Sequence, residues 1–193
     1  MLLVGIKGNL MNPGIITKKK IAKSFKELIS NSSVNDVSVS KLMKNVGMRR
    51  QSFYNHFIDI YDLIEWIFNQ ELSEIIQDNI TYYSWKEVIE VTIIYFSNSK
   101  LYYNKIFKYT EQNNFLSYFK KYTMNLLRDI VNSNTSYENN NDEFLLILFT
   151  NAIVYTIYDW ITLDSNNYIQ NTVTTDDLID KIISFIELLI CSI

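Results

Sequence analysis

Between Arg49 and His56 the chain sets out side chains suited to reading a nucleic acid: Arg49, Arg50, Gln51, Ser52, Tyr54, Asn55 and His56. An arginine guanidinium pairs bidentately with guanine, and the carboxamides of Gln and Asn pair with adenine. Ser and Tyr hydroxyls reach phosphate oxygens. Such chemistry needs these groups on the exposed side of a helix that is held firmly from behind. Phe53 and Phe57, four apart, supply that inward side.

One element must present this helix. Val39, Leu42, Met43 and Val46 repeat at the spacing of a single buried helical face. Ser38 precedes them as an N-cap, because its hydroxyl can accept from the free N–H groups of the first turn. Gly47 follows Asn45-Val46 and supplies the left-handed conformation that closes the helix and turns the chain. Two short helices joined by a Gly-containing turn form a helix-turn-helix, whose second helix enters the major groove of DNA. Ser38 and Lys41, on the first helix, join the DNA-facing set.

Leu42-Met43, Gly47-Met48, Ser52-Phe53-Tyr54 and His56-Phe57, with Asp59 and Leu63 beyond, resemble the N-terminal domain of TetR-family transcriptional regulators. The match runs without a gap. The resemblance implies an all-α protein: an N-terminal three-helix helix-turn-helix DNA-binding domain, and a C-terminal helical domain for ligand binding and dimerisation. It also implies a homodimer on a palindromic operator, and a phosphate contact for His56, against the alternative of a helix-packing histidine. Arg49 stands where the family usually has Ser or Thr as the helix cap, and Gln51 where it often has Gly or Pro. Ile60 replaces a frequent Lys. These departures bear on base preference and affinity, not on fold. RRQSFYNHF, YDLIEWIFNQEL and NKIFKYTEQNNFLSYF are further similar to the DhaS-like branch, which includes coactivators of dihydroxyacetone kinase operons.

Charge divides along the chain as this organisation requires. Residues 1–57 hold ten Lys or Arg against Glu27 and Asp36, a balance of +8. The remainder holds eight basic and nineteen acidic residues, a balance of −11. A basic head on an acidic body fits a DNA-facing domain joined to one that does not face DNA. Of 193 residues one is Pro and four are Gly, which favours helices over a many-stranded sheet. A lone Cys191 excludes an intramolecular disulfide and suits a reducing, cytoplasmic location. His56 is the sole histidine, and no Cys/His cluster or Gly-rich phosphate loop occurs. The pattern therefore predicts no enzyme, no metal and no cofactor.

The chain is expected to divide into an arm over 1–14, a DNA-binding domain over 15–60 and an effector-binding and dimerisation domain over 61–193. The arm has no periodicity; its first ten residues read as disordered or as an upstream start. Helix 1 is expected from Thr17 to about Ser30, with Ile21, Ala22, Phe25, Leu28 and Ile29 inward and its lysines outward. Helix 4, about Asp59 to Asn79, buries Leu63, Ile64, Ile67, Phe68, Leu72, Ile75 and Ile76, and is a natural lever between the domains. Further helices are expected at 85–98, 101–110, 113–132, 143–163 and 175–192, with Ser/Asn-rich loops between the later ones.

Residues 144–163 have the length of a membrane span. Thr150, Asn151, Thr156, Asp159 and Thr162 and acidic flanks argue instead for a helix buried on both sides. With Leu178, Ile179, Ile182, Ile183, Ile186, Leu189 and Ile190 it offers a broad apolar surface. The resemblance implies a homodimer through these last two helices, and the polar residues and acidic flanks predict no membrane partner. Phe96, Tyr103, Phe107, Phe119, Tyr155 and Tyr158 are candidate lining for an apolar pocket with hydroxyl handles, against the alternative of plain core.

Two readings follow. In the first, the chain is a homodimeric repressor of double-stranded DNA controlled by a small-molecule effector. In the second, it is a coactivator whose C-terminal body binds a metabolite-sensing partner protein. A filled aromatic core favours the second, and an enclosed cavity the first.

Overall fold

A computed structural model describes residues 13–77, 84–109, 114–134, 143–162 and 173–192. Among these residues the regular structure is helical: α1 Pro13–Ser30, a single 3-10 turn Val34–Asp36, α2 Val39–Val46, α3 Arg50–Tyr54, α4 Ile60–Gln77, α5 Trp85–Asn98, α6 Lys100–Phe107, α7 Asn114–Asn134, α8 Glu143–Ile161 and α9 Thr175–Ser192. The chain clusters into two compact units, Met1–Asn69 and Gln70–Ile193, with the division inside α4.

α1 begins at Pro13, a turn earlier than the apolar periodicity indicates. Proline suits the first helical position, where its missing N–H has no partner to lose. The Thr17 hydroxyl donates back to the Pro13 carbonyl at 3.1 Å. Residues 1–12 of the expected arm lie outside the described residues, as do Asn79, Thr110 and Leu163 at the expected helix ends.

In the first unit α2 packs on α1 and α3 on α2. Ile21, Ala22, Phe25 and Ile29 of α1 meet Leu42, Met43, Phe53 and Phe57 in a core that also takes Val34 and Val37. Leu28 is half-buried. Asn45 Nδ2 donates to Ser24 Oγ at 2.8 Å, tying the end of α2 to α1. Lys18 does not simply face solvent: its ammonium lies 4.8 Å from the Phe57 ring centroid and 5.6 Å from that of Trp66. Phe57 and Trp66 themselves meet edge-on. Hence the start of α4 belongs to this unit.

In the second unit α7 packs on α8 and α9 on α5, with α6 against α8. Ser84 and Glu87 form a reciprocal capping box that starts α5, and Thr174 and Asp177 do the same for α9. Lys86 of α5 pairs with Glu187 of α9. Lys100 of α6 lies 4.3 Å from the Trp160 ring of α8. Of the apolar residues expected to give α9 a broad free surface, Leu178, Ile179, Ile182, Ile186 and Leu189 are already buried within the chain. The apolar side chains left outside are mainly on α8.

Candidate nucleic-acid interface

Ser38 starts the motif as a cap. Its backbone is extended and its Oγ accepts from the Lys41 N–H at 3.2 Å. The Lys41 ammonium donates to the Asp36 carbonyl at 3.3 Å. Gly47 ends α2 at φ 75°, ψ 28°, in the left-handed region. The Met48 N–H then reaches the Met43 carbonyl at 2.9 Å. This satisfies a helix-terminal acceptor and aims the chain into α3.

α3 is short, Arg50–Tyr54, with Arg49 at its N-cap and Asn55 at its C-cap. Arg49 makes no side-chain cap bond, so the Ser or Thr it replaces is not functionally copied. Phe53 is completely buried and Phe57 nearly so. Arg49, Arg50, Gln51, Tyr54 and Asn55 are exposed, whereas Ser52 and His56 are half-buried. Arg50 and Tyr54 form one row at i, i+4 and Gln51 and Asn55 the next. Ser38 and Lys41 lie exposed on α2, outside the rows of α3.

One contact within this set was not part of the sequence expectation. Arg50 Nη2 donates to the Tyr54 hydroxyl oxygen at 3.1 Å. The i, i+4 spacing carries the signal for it, once the helix boundaries are known.

The six candidate pocket residues divide differently. Phe96, Tyr103, Phe107 and Phe119 are all fully buried, and they pack ring against ring. Phe96 is 4.7 Å from Tyr103 and 5.1 Å from Phe119, centroid to centroid. Tyr158 joins them edge-on to Phe107 at 5.4 Å. Tyr155 is exposed; its ring meets that of Tyr158 edge-on at 6.4 Å, and Lys120 Nζ donates to its hydroxyl at 3.2 Å.

A polar chain runs through this aromatic cluster. The Tyr95 hydroxyl donates to Glu71 Oε2 at 2.8 Å and lies 2.7 Å from the Tyr103 hydroxyl. Burial holds the Tyr95, Tyr102 and Tyr103 hydroxyls well above the usual phenol range, and the Glu71 carboxylate adds to the effect. Glu71 was not among the expected site residues, because a contact joining α4, α5 and α6 leaves no local pattern in the sequence. Asn104 Oδ1 and Thr150 Oγ1 are buried with no hydrogen-bond partner among the described residues. No group of three or more His, Cys, Asp or Glu among the described residues is placed to hold a metal ion.

Comparison with known proteins bears on both units. Residues 83–186 match the family model described as the transcriptional regulator C-terminal region, of TetR type. The chain is 36% identical over 121 residues to the HTH-type dhaKLM operon transcriptional activator DhaS of Lactococcus lactis subsp. lactis strain IL1403. That match spans 63% of this chain and 64% of the relative, just under two thirds of the relative's length. A solved structure of a dihydroxyacetone kinase operon activator DhaS superposes with a TM-score of 0.67 at 29% identity, covering 92% of this chain and 98% of that one. FadR of Thermus thermophilus, a TetR-family transcriptional repressor, superposes with a TM-score of 0.54 at 10% identity over 89% and 92% of the two chains. At that identity the likeness is one of fold. The relatives named are transcriptional regulators. The family model covers more than half of the chain and the helix-turn-helix resemblance lies outside the matched stretch, so head and body agree: the chain belongs to the TetR family of transcriptional regulators.

Proposed function

We propose that this regulator binds double-stranded DNA in a sequence-specific manner, as a homodimer on a palindromic operator. The observation that carries this reading is the exposed surface of α3. Arg50, Gln51, Tyr54 and Asn55 point away from a buried Phe53, and the basic residues of α1 lie in the same unit. Arg49, Arg50, Gln51 and Asn55 supply base-edge chemistry; Ser38, Lys41, Ser52, Tyr54 and His56 supply contacts to the backbone.

Dimerisation is assigned to α8 and α9. Phe144, Ile147, Leu148 and Tyr155 of α8 and Leu188 of α9 are large apolar side chains left in solvent, Phe144 at 66% and Leu188 at 60% exposure. α8 is long and apolar enough to cross a membrane, with 39% of that window buried inside the chain. Asp159 and Asn151 in the same helix make lipid a costly neighbour. A second copy of the chain in the cytoplasm covers the surface without that cost.

The input signal has two readings. A small-molecule effector of a repressor would find polar handles at Asn104 and Thr150, whose buried oxygens are unpaired among the described residues. The coactivator reading, in which a metabolite-sensing protein docks on the body, is favoured by a different observation. Phe96, Tyr103, Phe107 and Phe119 are fully buried and pack ring against ring. The relatives named as operon activators support the same choice.

Fluorescence anisotropy of labelled duplex DNA across a salt series tests the DNA-binding reading. Affinity should fall steeply as salt rises, as counterion release requires. Salt-independent or absent binding by the folded protein would overturn the proposal. Dihydroxyacetone added to the complex tests one direct input: release of DNA would support direct binding of that compound by this chain.

A further inference from the structure

We infer that Tyr54 is a positioning residue for Arg50, so that the two side chains meet DNA as one unit and Tyr54 contributes to base preference. The inference rests on the DNA-reading role proposed above for α3. As a phosphate contact alone, Tyr54 would affect all DNA sequences alike. The geometry assigns it more.

Arg50 Nη2 donates to the Tyr54 hydroxyl oxygen at 3.1 Å, and the guanidinium carbon lies 5.8 Å from the Tyr54 ring centroid. The Tyr54 ring meets Phe53 edge-on, with centroids 5.5 Å apart. Phe53 is fully buried in the first unit. A line of contact therefore runs from the core through Tyr54 to the guanidinium. Among the described residues Arg50 has no carboxylate partner to hold it elsewhere. A long arginine side chain ordinarily loses rotamer freedom when it binds. Held by Tyr54, Arg50 has lost part of that freedom in advance. The remaining N–H groups of the guanidinium still suffice for a bidentate pair with guanine O6 and N7. The Tyr54 hydroxyl accepts the bond from Arg50 and keeps its own proton for a phosphate oxygen. Its two roles are thus compatible.

The test uses the full chain and a duplex selected from randomised DNA. The selected duplex is compared with a set of duplexes each altered at one base pair. The ratio of the affinities is measured for wild type, Arg50→Ala, Tyr54→Phe and the double variant. Arg50→Ala should lower the ratio at one base pair by roughly 5- to 150-fold, the range of one bidentate contact. Tyr54→Phe should lower the ratio several-fold at that same base pair, and should have no effect on it in the Arg50→Ala background. A Tyr54→Phe variant that weakens both duplexes equally overturns the inference, because a phosphate contact or a merely structural role does just that. An equal effect in both backgrounds also overturns it, and so does an Arg50→Ala variant that changes no ratio. Failure of the wild type to prefer any duplex removes the DNA-reading proposal itself, and this inference with it.

Discussion

Gly47 holds its backbone at φ 75°, where an L side chain is strained whatever space surrounds it. A Cβ built there meets nothing within 4 Å, so the penalty is conformational and not a clash. Gly47→Ala should lower the free energy of unfolding by about 1–2 kcal/mol, and Gly47→Asn by less, because Asn tolerates this region. Chemical denaturation followed by circular dichroism checks both values; equal losses would contradict the conformational account. Residues of this kind were legible in the sequence. Ser38 as a cap and Gly47 as a terminator act within one turn of chain, and local chemistry decides them. Lys18 was not legible in the same way. Its place over Phe57 and Trp66 depends on where α1 and α4 meet, which no spacing in either helix records.

At the scale of elements, apolar periodicity gave the long helices well, and its limits are physical. α3 has five residues, so its boundaries follow from the Gly47 turn and the aromatic anchors more than from any repeat. α1 gained its first turn from Pro13, a backbone effect with no apolar signature. The link Glu71–Tyr95–Tyr103 joins three helices and could only be seen once they were assembled. It carries a pH prediction. Burial raises the Tyr95 and Tyr103 hydroxyls, and pushes Tyr122 up to about 12. A raised folded-state pKa gives stability that is intact below the ordinary phenol value near pH 10 and is lost as pH rises beyond it. Phenolate absorbance should therefore show these tyrosines ionising only as the helical signal disappears. Early, complete ionisation with the fold intact would contradict their burial. Phe96 lies at the centre of the same cluster, and Phe96→Ala should cost about 3–5 kcal/mol through lost burial and a cavity. A loss below about 1 kcal/mol in the same unfolding assay would mean that the cluster is loosely filled.

For the molecule as a whole, the sequence indicated a basic head, an acidic body and apolar final helices, but not which apolar residues stay free. Periodicity says that a face is apolar and not what covers it. Most of the α9 set turns inward, and the exposed large apolar side chains of these two helices are Phe144, Ile147, Leu148 and Tyr155 on α8 and Leu188 on α9. Leu148→Asp places a charge there without touching the buried Leu146 or Thr150 of the same helix. It should convert a dimer to a folded monomer in sedimentation velocity and weaken binding to a two-half-site duplex, while binding to a single half-site persists. An unchanged dimer would move the interface off this surface. The most direct measurement of the central claim is selection of bound fragments from randomised duplex DNA. A dimer with one α3 per half-site predicts enrichment of an inverted repeat, with half-sites about one helical turn or a multiple of it apart. A folded, dimeric protein that enriches no sequence would contradict the claim that α3 reads DNA.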